Sequence, residues 1–353
     1  MSNDRQSFFE FLSIANQERI HSQIISWFFS DNFKEVQNID KINLIKKLFN
    51  IECSHIEYVI TEYKNIDIII KTDSCVIILE NKLKSSQYLG QLNKYREIAE
   101  KDFQNIDKKY FYLTLINEPP SEINWQNVTY EDLLSVFQEI KLTKEIDAII
   151  FCEYLSFLEH LINIFKDFSQ NYQKYSTVFL NGSKKKIDKI TYEYPTEEEK
   201  FIGINQLETI FQKNILIKIR NSIDESIHCV INETRGVALI DIILGEINVQ
   251  KKKFNVFLQL QADNIKFAIA SVNYDKSKKK EIECFIPFVS KIKENSNYNK
   301  LNMPKQKGYV SLSKKMPTPY WEMEYDDLIY FIKSEINEGR KYFSDLEKIE
   351  FKI

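Results

Sequence analysis

Glycine and proline are scarce, seven of each in 353 residues, and histidine occurs four times. Neither GxGxxG nor GxxxxGK[ST] is present, so the loops that cradle nucleotide phosphates are missing and the common nucleotide-driven chemistries are disfavoured. The five cysteines (Cys53, Cys75, Cys152, Cys229, Cys284) are odd in number, scattered and never in a CxxC or Cys/His spacing, which argues against a disulfide framework and against structural zinc. No apolar stretch is expected to approach the roughly 18 residues that cross a bilayer, and the opening MSNDRQSFFEFL has no basic segment followed by an apolar one. A cytoplasmic location with no membrane partner is therefore expected. His55, His160 and His228 have no neighbours in sequence that suggest a role, so Ser/His/Asp catalysis has no support.

Hydrophobic residues make up 43% and charged residues 28%, the balance of a folded globular protein. The length suits one large or two medium domains. The net charge of −3 is unevenly spread: residues 1–175 carry 19 Lys and Arg against 26 Asp and Glu, whereas 176–353 carry 29 against 25. A domain boundary is placed near residues 175–190, where a long helical pattern (Ile146–Phe168) gives way to Asn181-Gly182-Ser183 and a lysine run, a loop composition. This gives domains 1–175 and 176–353.

In the first half, Phe8, Phe11, Leu12, Ala15, Ile24, Trp27 and Phe28 recur at helical spacing and predict one amphipathic helix over about 6–30, followed by a short helix near 38–50. The period then changes. Ile56–Tyr63, Ile66–Lys71 and Cys75–Lys82 are short, β-branched and separated by polar breaks, which reads as a three-stranded meander. Ser86–Asp102 is a helix again, Lys109–Ile116 a buried strand, Val128–Tyr130 a short strand, and helices follow from Glu131. In the second half, Thr196 and Glu199 have capping-box spacing and open a helix to about residue 220. Val237–Leu244, Phe254–Leu260, Ile265–Val272 and Ile282–Phe285 predict an antiparallel sheet, and Tyr325–Ile349 a closing helix.

The chemistry lies in Asn65-Ile66-Asp67-Ile68-Ile69-Ile70-Lys71 and Cys75-Val76-Ile77-Ile78-Leu79-Glu80-Asn81-Lys82, where charged residues interrupt strands that otherwise look buried. A four-residue hairpin loop, Thr72–Cys75, sets Asp67 opposite Glu80; a two-residue loop sets Asp67 opposite Ile78, one same-face step from Glu80. In either register Asp67, Glu80 and Lys82 share a face. Two facing carboxylates repel and need a compensating positive charge. Oxygen ligands without thiols or paired imidazoles select Mg2+ or Mn2+ over zinc. The triplet [DE]xK by itself carries little, since it recurs at Glu62–Lys64, Asp107–Lys109, Glu139–Lys141, Glu198–Lys200 and Glu350–Lys352. What sets 80–82 apart is its place at the end of an apolar strand, with an acid on the preceding strand and a helix directly after. The bland alternative is a solvated hairpin end with an ordinary Glu–Lys pair.

With Asp67, Glu80 and Lys82 in a D…ExK pattern, and a helix–three strands–helix–strand order across 6–116, the chain resembles the PD-(D/E)XK nuclease superfamily. Ile66 replaces the proline of the family pattern. The resemblance covers about residues 6–140 and implies an α/β fold, a restriction-endonuclease-like mixed sheet flanked by helices, here followed by an α+β domain with an antiparallel sheet. Gln91 and Tyr95 share a helix face by i,i+4 spacing and look like the QxxxY motif of the RecB-like branch, where such residues position the site and the nucleic-acid backbone. Glu18, His21 and Ser22 share a face of the first helix; a Glu on that helix often completes the metal site in the superfamily, and this ExxHS pattern is similar to a bacterial group in which the element opens the domain. Tyr130-Glu131-Asp132-Leu133 resembles a later stretch of that group.

The resemblance implies a Mg2+-dependent nuclease, with Mn2+ as substitute. Asp67, Glu80 and the main-chain carbonyl of Asn81 are the implied metal ligands, with Glu18 assisting, Lys82 orienting the attacking water, and His21, Gln91 and Tyr95 as further site candidates. Glu62 is a spare acid, more simply read as a solvated strand end. DNA is the implied substrate, in bacterial restriction or phage defence. Lysine clusters at 184–186, 251–253 and 278–280 are candidates for tracking a phosphate backbone. The second half is expected to serve regulation, specificity or dimerisation, or to bind a partner protein. The competing expectation is a silent nuclease fold that only binds nucleic acid or a partner.

Overall fold

The computed structural model describes residues 7–83, 90–116, 118–179, 194–234, 236–249, 251–272, 282–302 and 309–349. Contacts divide the chain into two units, Met1–Gln170 with Glu193–Ile210, and Asn171–Tyr192 with Phe211–Ile353.

The first unit is built on a five-stranded mixed sheet, β1 (Ile56–Tyr63), β2 (Ile66–Thr72), β3 (Cys75–Lys82), β4 (Asp107–Thr114) and β5 (Trp125–Thr129), in the order β1-β2-β3-β4-β5. The first three strands form the expected antiparallel meander, and β4 and β5 add in parallel. The β3–β4 crossover runs through helix α4 (Gln91–Asp102), as parallel pairing requires. Because side chains alternate, Val76 and Ile78 of β3 pack with Leu92, Tyr95 and Ala99 of α4 on one face, and Glu80 and Lys82 continue that row. Of the expected helix Ser86–Asp102, residues 86–89 lie outside the described residues.

The N-terminal helix predicted as one piece is two, α1 (Phe8–Phe11) and α2 (Glu18–Phe29), separated at Ser13, which has φ +53°. Helix α3 (Asn38–Phe49) ends on a left-handed Asn50, a favoured helix stop. Helix α5 (Tyr130–Gln138) has a reciprocal capping box between Thr129 and Asp132. Helix α6 (Ile146–Asn171) buries Phe151, Tyr154, Phe157, Leu158, Leu161 and Phe168. The segment Ile146–Lys174 is long and apolar enough to cross a membrane by length and composition, which corrects the expectation that no stretch qualifies; its buried aromatic face is that of a core helix.

The predicted 196–220 helix also breaks in two. Thr196 caps α7 (Glu197–Ile204) through the Glu199 N–H, and α8 (Glu208–Ser222) follows after Gln206 at φ +53°. The second unit carries an antiparallel sheet of β6 (Cys229–Thr234), β7 (Val237–Val249), β8 (Lys252–Gln261), β9 (Asn264–Ser271), β10 (Lys300–Asn302) and β11 (Tyr309–Lys315), in the order β10-β11-β9-β8-β7-β6. Residues 282–285, predicted as a strand, instead lead by helical turns into α9 (Ile286–Glu294). Helix α10 (Tyr325–Glu347) packs on β7 and β8. Gly245 permits this approach, since a Cβ there would lie 2.2 Å from the Phe343 ring. The first unit is the expected α/β mixed sheet and the second carries the expected antiparallel sheet of an α+β domain; the lysine clusters 184–186 and 278–280 lie outside the described residues.

Candidate active site

The hairpin register is set by Ile68 opposite Leu79, Ile70 opposite Ile77 and Lys71 opposite Val76. This is the register of the four-residue loop, and it places Asp67 beside Glu80. The strand pairing ends there because the Asn81 N–H donates to Asp67 Oδ2 at 2.7 Å. Glu80 is 1% exposed. Its Oε1 receives Lys82 Nζ at 2.8 Å and Gln91 Nε2 at 2.9 Å. Its Oε2 is buried without a hydrogen-bond partner, in a carboxyl on which the like charge of Asp67, a second acceptor, acts. Such a pair closes only by sharing a proton or a cation.

The electrostatics follow. Burial first, then the Asp67 charge, raise the Glu80 pKa to about 9. Burial likewise raises Asp67 to about 6, against the pull of the Asn81 N–H and Lys82. Burial opposes the Lys82 charge, but Glu80, Glu18 and Asp67 outweigh it and hold the ammonium above its ordinary pKa. Lys82 is thus a cation clamped among acids.

Glu18 begins α2, where its Oε1 accepts the Leu83 N–H at 3.1 Å and its Oε2 lies 3.8 Å from Lys82 Nζ. Gln91 Nε2 also donates to the Tyr95 hydroxyl at 3.0 Å, so the i,i+4 pair reaches Glu80 through Gln91. Six of the candidates, Glu18, Asp67, Glu80, Lys82, Gln91 and Tyr95, therefore come together. His21 does not reach the acids. Its Nε2 meets the Ala15 carbonyl at 3.2 Å and its Nδ1 the Tyr154 hydroxyl at 3.0 Å. A carbonyl only accepts, so Nε2 carries the proton and Nδ1 accepts from Tyr154. Burial lowers the His21 pKa to about 4, which keeps the ring neutral near pH 7 and makes it a strut between Ala15 and Tyr154. Glu62 lies on β1, exposed and left-handed at φ +57°.

Sequence reasoning missed the Asn81 side chain. Asn81 Nδ2 donates to the Glu18 carbonyl and to Ser22 Oγ, both at 3.0 Å, and its Oδ1 accepts the Tyr130 hydroxyl at 2.8 Å. One amide therefore ties β3 to α2 and α5 on the sheet face opposite Glu80. The signals were the ExxHS serine and Tyr130, each noted in the sequence without a partner.

Among the described residues, no group of three or more His, Cys, Asp and Glu gathers in a way that could hold a metal ion. The donor set present is two carboxylates and main-chain oxygen, which suits a hard divalent cation, and the orphaned Glu80 Oε2 is the atom such a cation would satisfy.

Residues 6–197 match the family model of the PD-(D/E)XK nuclease superfamily. This is more than half of the chain, and the chain belongs to that superfamily. No curated protein and no solved structure matches it.

Proposed function

We propose that this member of the PD-(D/E)XK nuclease superfamily is a Mg2+-dependent nuclease of the RecB-like branch that hydrolyses phosphodiester bonds of DNA in bacterial restriction or phage defence, with Mn2+ as substitute. The observation that carries it is the buried Glu80 carboxylate, one oxygen doubly donated to and the other without a hydrogen-bond partner. Asp67, Glu80 and the Asn81 carbonyl would hold the cation, which would supply Lewis-acid polarisation of the scissile phosphate and a lowered pKa for water.

The chain's own groups do the rest. Lys82 stays charged at working pH because three acids surround it, and from 2.8 Å beside Glu80 it donates to the attacking water and orients it in line with the phosphate. Glu18 holds Lys82 from the other helix. Gln91 fixes the Glu80 rotamer by donating to Oε1, and Tyr95 fixes Gln91. No protein nucleophile is required. Lys251–Lys253, at the start of β8, contribute to tracking the phosphate backbone, and binding weakens steeply with salt. Replacing Lys82 by Ala abolishes cleavage and leaves the circular-dichroism spectrum unchanged; undiminished cleavage by that variant contradicts the mechanism.

A further inference from the structure

Helix α2 places Glu18 beside Lys82, so whatever fixes the start of α2 fixes that carboxylate. One fixing point is Asn81 of β3, on the Glu18 carbonyl; the other is Ala15, three residues earlier and fully buried. Its N–H donates to Asn205 Oδ1 at 3.0 Å, across 190 residues of chain. Its carbonyl accepts the His21 Nε2–H at 3.2 Å, and His21 is braced by Tyr154. Both main-chain groups of one residue are thus clamped, in the turn between Ser13, which is left-handed, and the first turn of α2. Asn205 is 2% exposed and is itself oriented by donating from Nδ2 to the Phe201 carbonyl at 2.9 Å. It caps the C-terminus of α7 and lies beyond residue 197, where the family match ends.

We infer that Asn205 is a positioning residue for the nuclease site: through Ala15 it sets the start of α2 and so the place of Glu18 against Leu83 and Lys82. The segment after the matched module therefore supplies a part that the site depends on. A buried N–H that loses its acceptor costs free energy and is relieved by moving the chain that carries it. Here that chain is the first turn of α2. The Ile70–Ile77 pairing belongs to the interior of the hairpin, whereas Asn81 itself reaches α2 through the Glu18 carbonyl.

The activity part of this inference rests on the nuclease reading above; the structural part does not. The experiment is a mutant cycle on the full chain, Asn205→Leu, Glu18→Ala and the double variant, read by cleavage rate and by amide hydrogen exchange of Leu83 and Ile77. Asn205→Leu is expected to slow cleavage about tenfold, with no further loss when Glu18 is already Ala. It should also speed exchange at Leu83 to the level of Glu18→Ala while leaving Ile77, inside the β2–β3 pairing, as protected as in the wild type. Multiplying rate losses, or unchanged Leu83 exchange, overturns the inference. Asn205→Ser, too short to reach Ala15 and without apolar bulk, gives the same readouts if Asn205→Leu does not fold. If the wild type cleaves no nucleic acid, the nuclease reading fails by itself, and Leu83 exchange still decides the clamp.

Discussion

In the second unit Glu335 is 6% exposed, and each of its oxygens has a donor, Lys314 Nζ at 2.8 Å and the Tyr298 hydroxyl at 3.3 Å. Asp241 there is 5% exposed and takes Gln259 Nε2 at 2.8 Å. In the first unit Glu80 is buried as deeply, yet one oxygen has two donors and the other has no hydrogen-bond partner. A raised pKa does not separate these cases, because burial also lifts Asp241 to about 6. Satisfaction does. Glu335 completes a closed network that holds a sheet and helix together, while the first unit's pair is an open one that asks for a cation. A buried acid marks a site when its neighbours leave it unfinished.

Breaking the open pair has the largest consequence. Lys82→Ala or Glu80→Ala abolishes cleavage, a loss of at least about 10³-fold, whereas Glu335→Leu leaves cleavage per folded molecule unchanged and costs about 3 kcal/mol of stability in denaturant unfolding, since Lys314 stays buried without its nearest acid.

A smaller effect sharpens the contrast through pH. An acid whose pKa is raised by folding binds an extra proton in the folded state, so stability is highest below its unfolded value and falls as pH rises towards its folded one. For the metal-free protein that window runs from about pH 4 through about 6 for Asp67 and on to about 9 for Glu80. Asp67→Asn keeps an acceptor for the Asn81 N–H and removes the like charge. It is expected to be about 1 kcal/mol more stable than wild type at pH 8 without metal, and inactive. In the wild type, Mg2+ should raise the melting temperature more at pH 8 than at pH 5, because binding must displace protons. The smallest effect is that of Tyr130→Phe, which removes one donor to Asn81 and costs about 1 kcal/mol of stability, measured by denaturant unfolding.

The hairpin was legible because alternation is strict there: Asp67, Glu80 and Lys82 sit where apolar residues belong, and the parity of the pairing leaves them few places to go. Gln91 and Tyr95 were legible for the same reason at helical spacing. The breaks were not. Ser13 and Gln206 turn the chain in the left-handed region without glycine, as do Asn50, Glu62, Lys64, Asn65, Asn105, Lys251 and Ala262, so the usual turn punctuation is missing and two pairs of helices read as two long ones. Strands β6, β10 and β11 were hidden because each is short or half polar, and residues 282–285 were misread because four apolar-rich residues fit a strand or a helical turn equally well. His21 looked catalytic because its spacing shares a face with Glu18; only the Ala15 carbonyl and the Tyr154 hydroxyl, one of them 133 residues away, show what it holds. Long-range hydrogen bonds of this kind leave no periodic trace in sequence.

The most direct test is cleavage of single- and double-stranded, linear and circular DNA, with RNA alongside, in Mg2+, Mn2+ or EDTA, by the wild type and by Glu80→Ala. Cutting of DNA that requires the metal and vanishes in Glu80→Ala is the expected result. Cutting that persists in EDTA or in the variant, or no cutting of any substrate in either metal, contradicts the claim that the open acid pair is a metal-dependent nuclease centre.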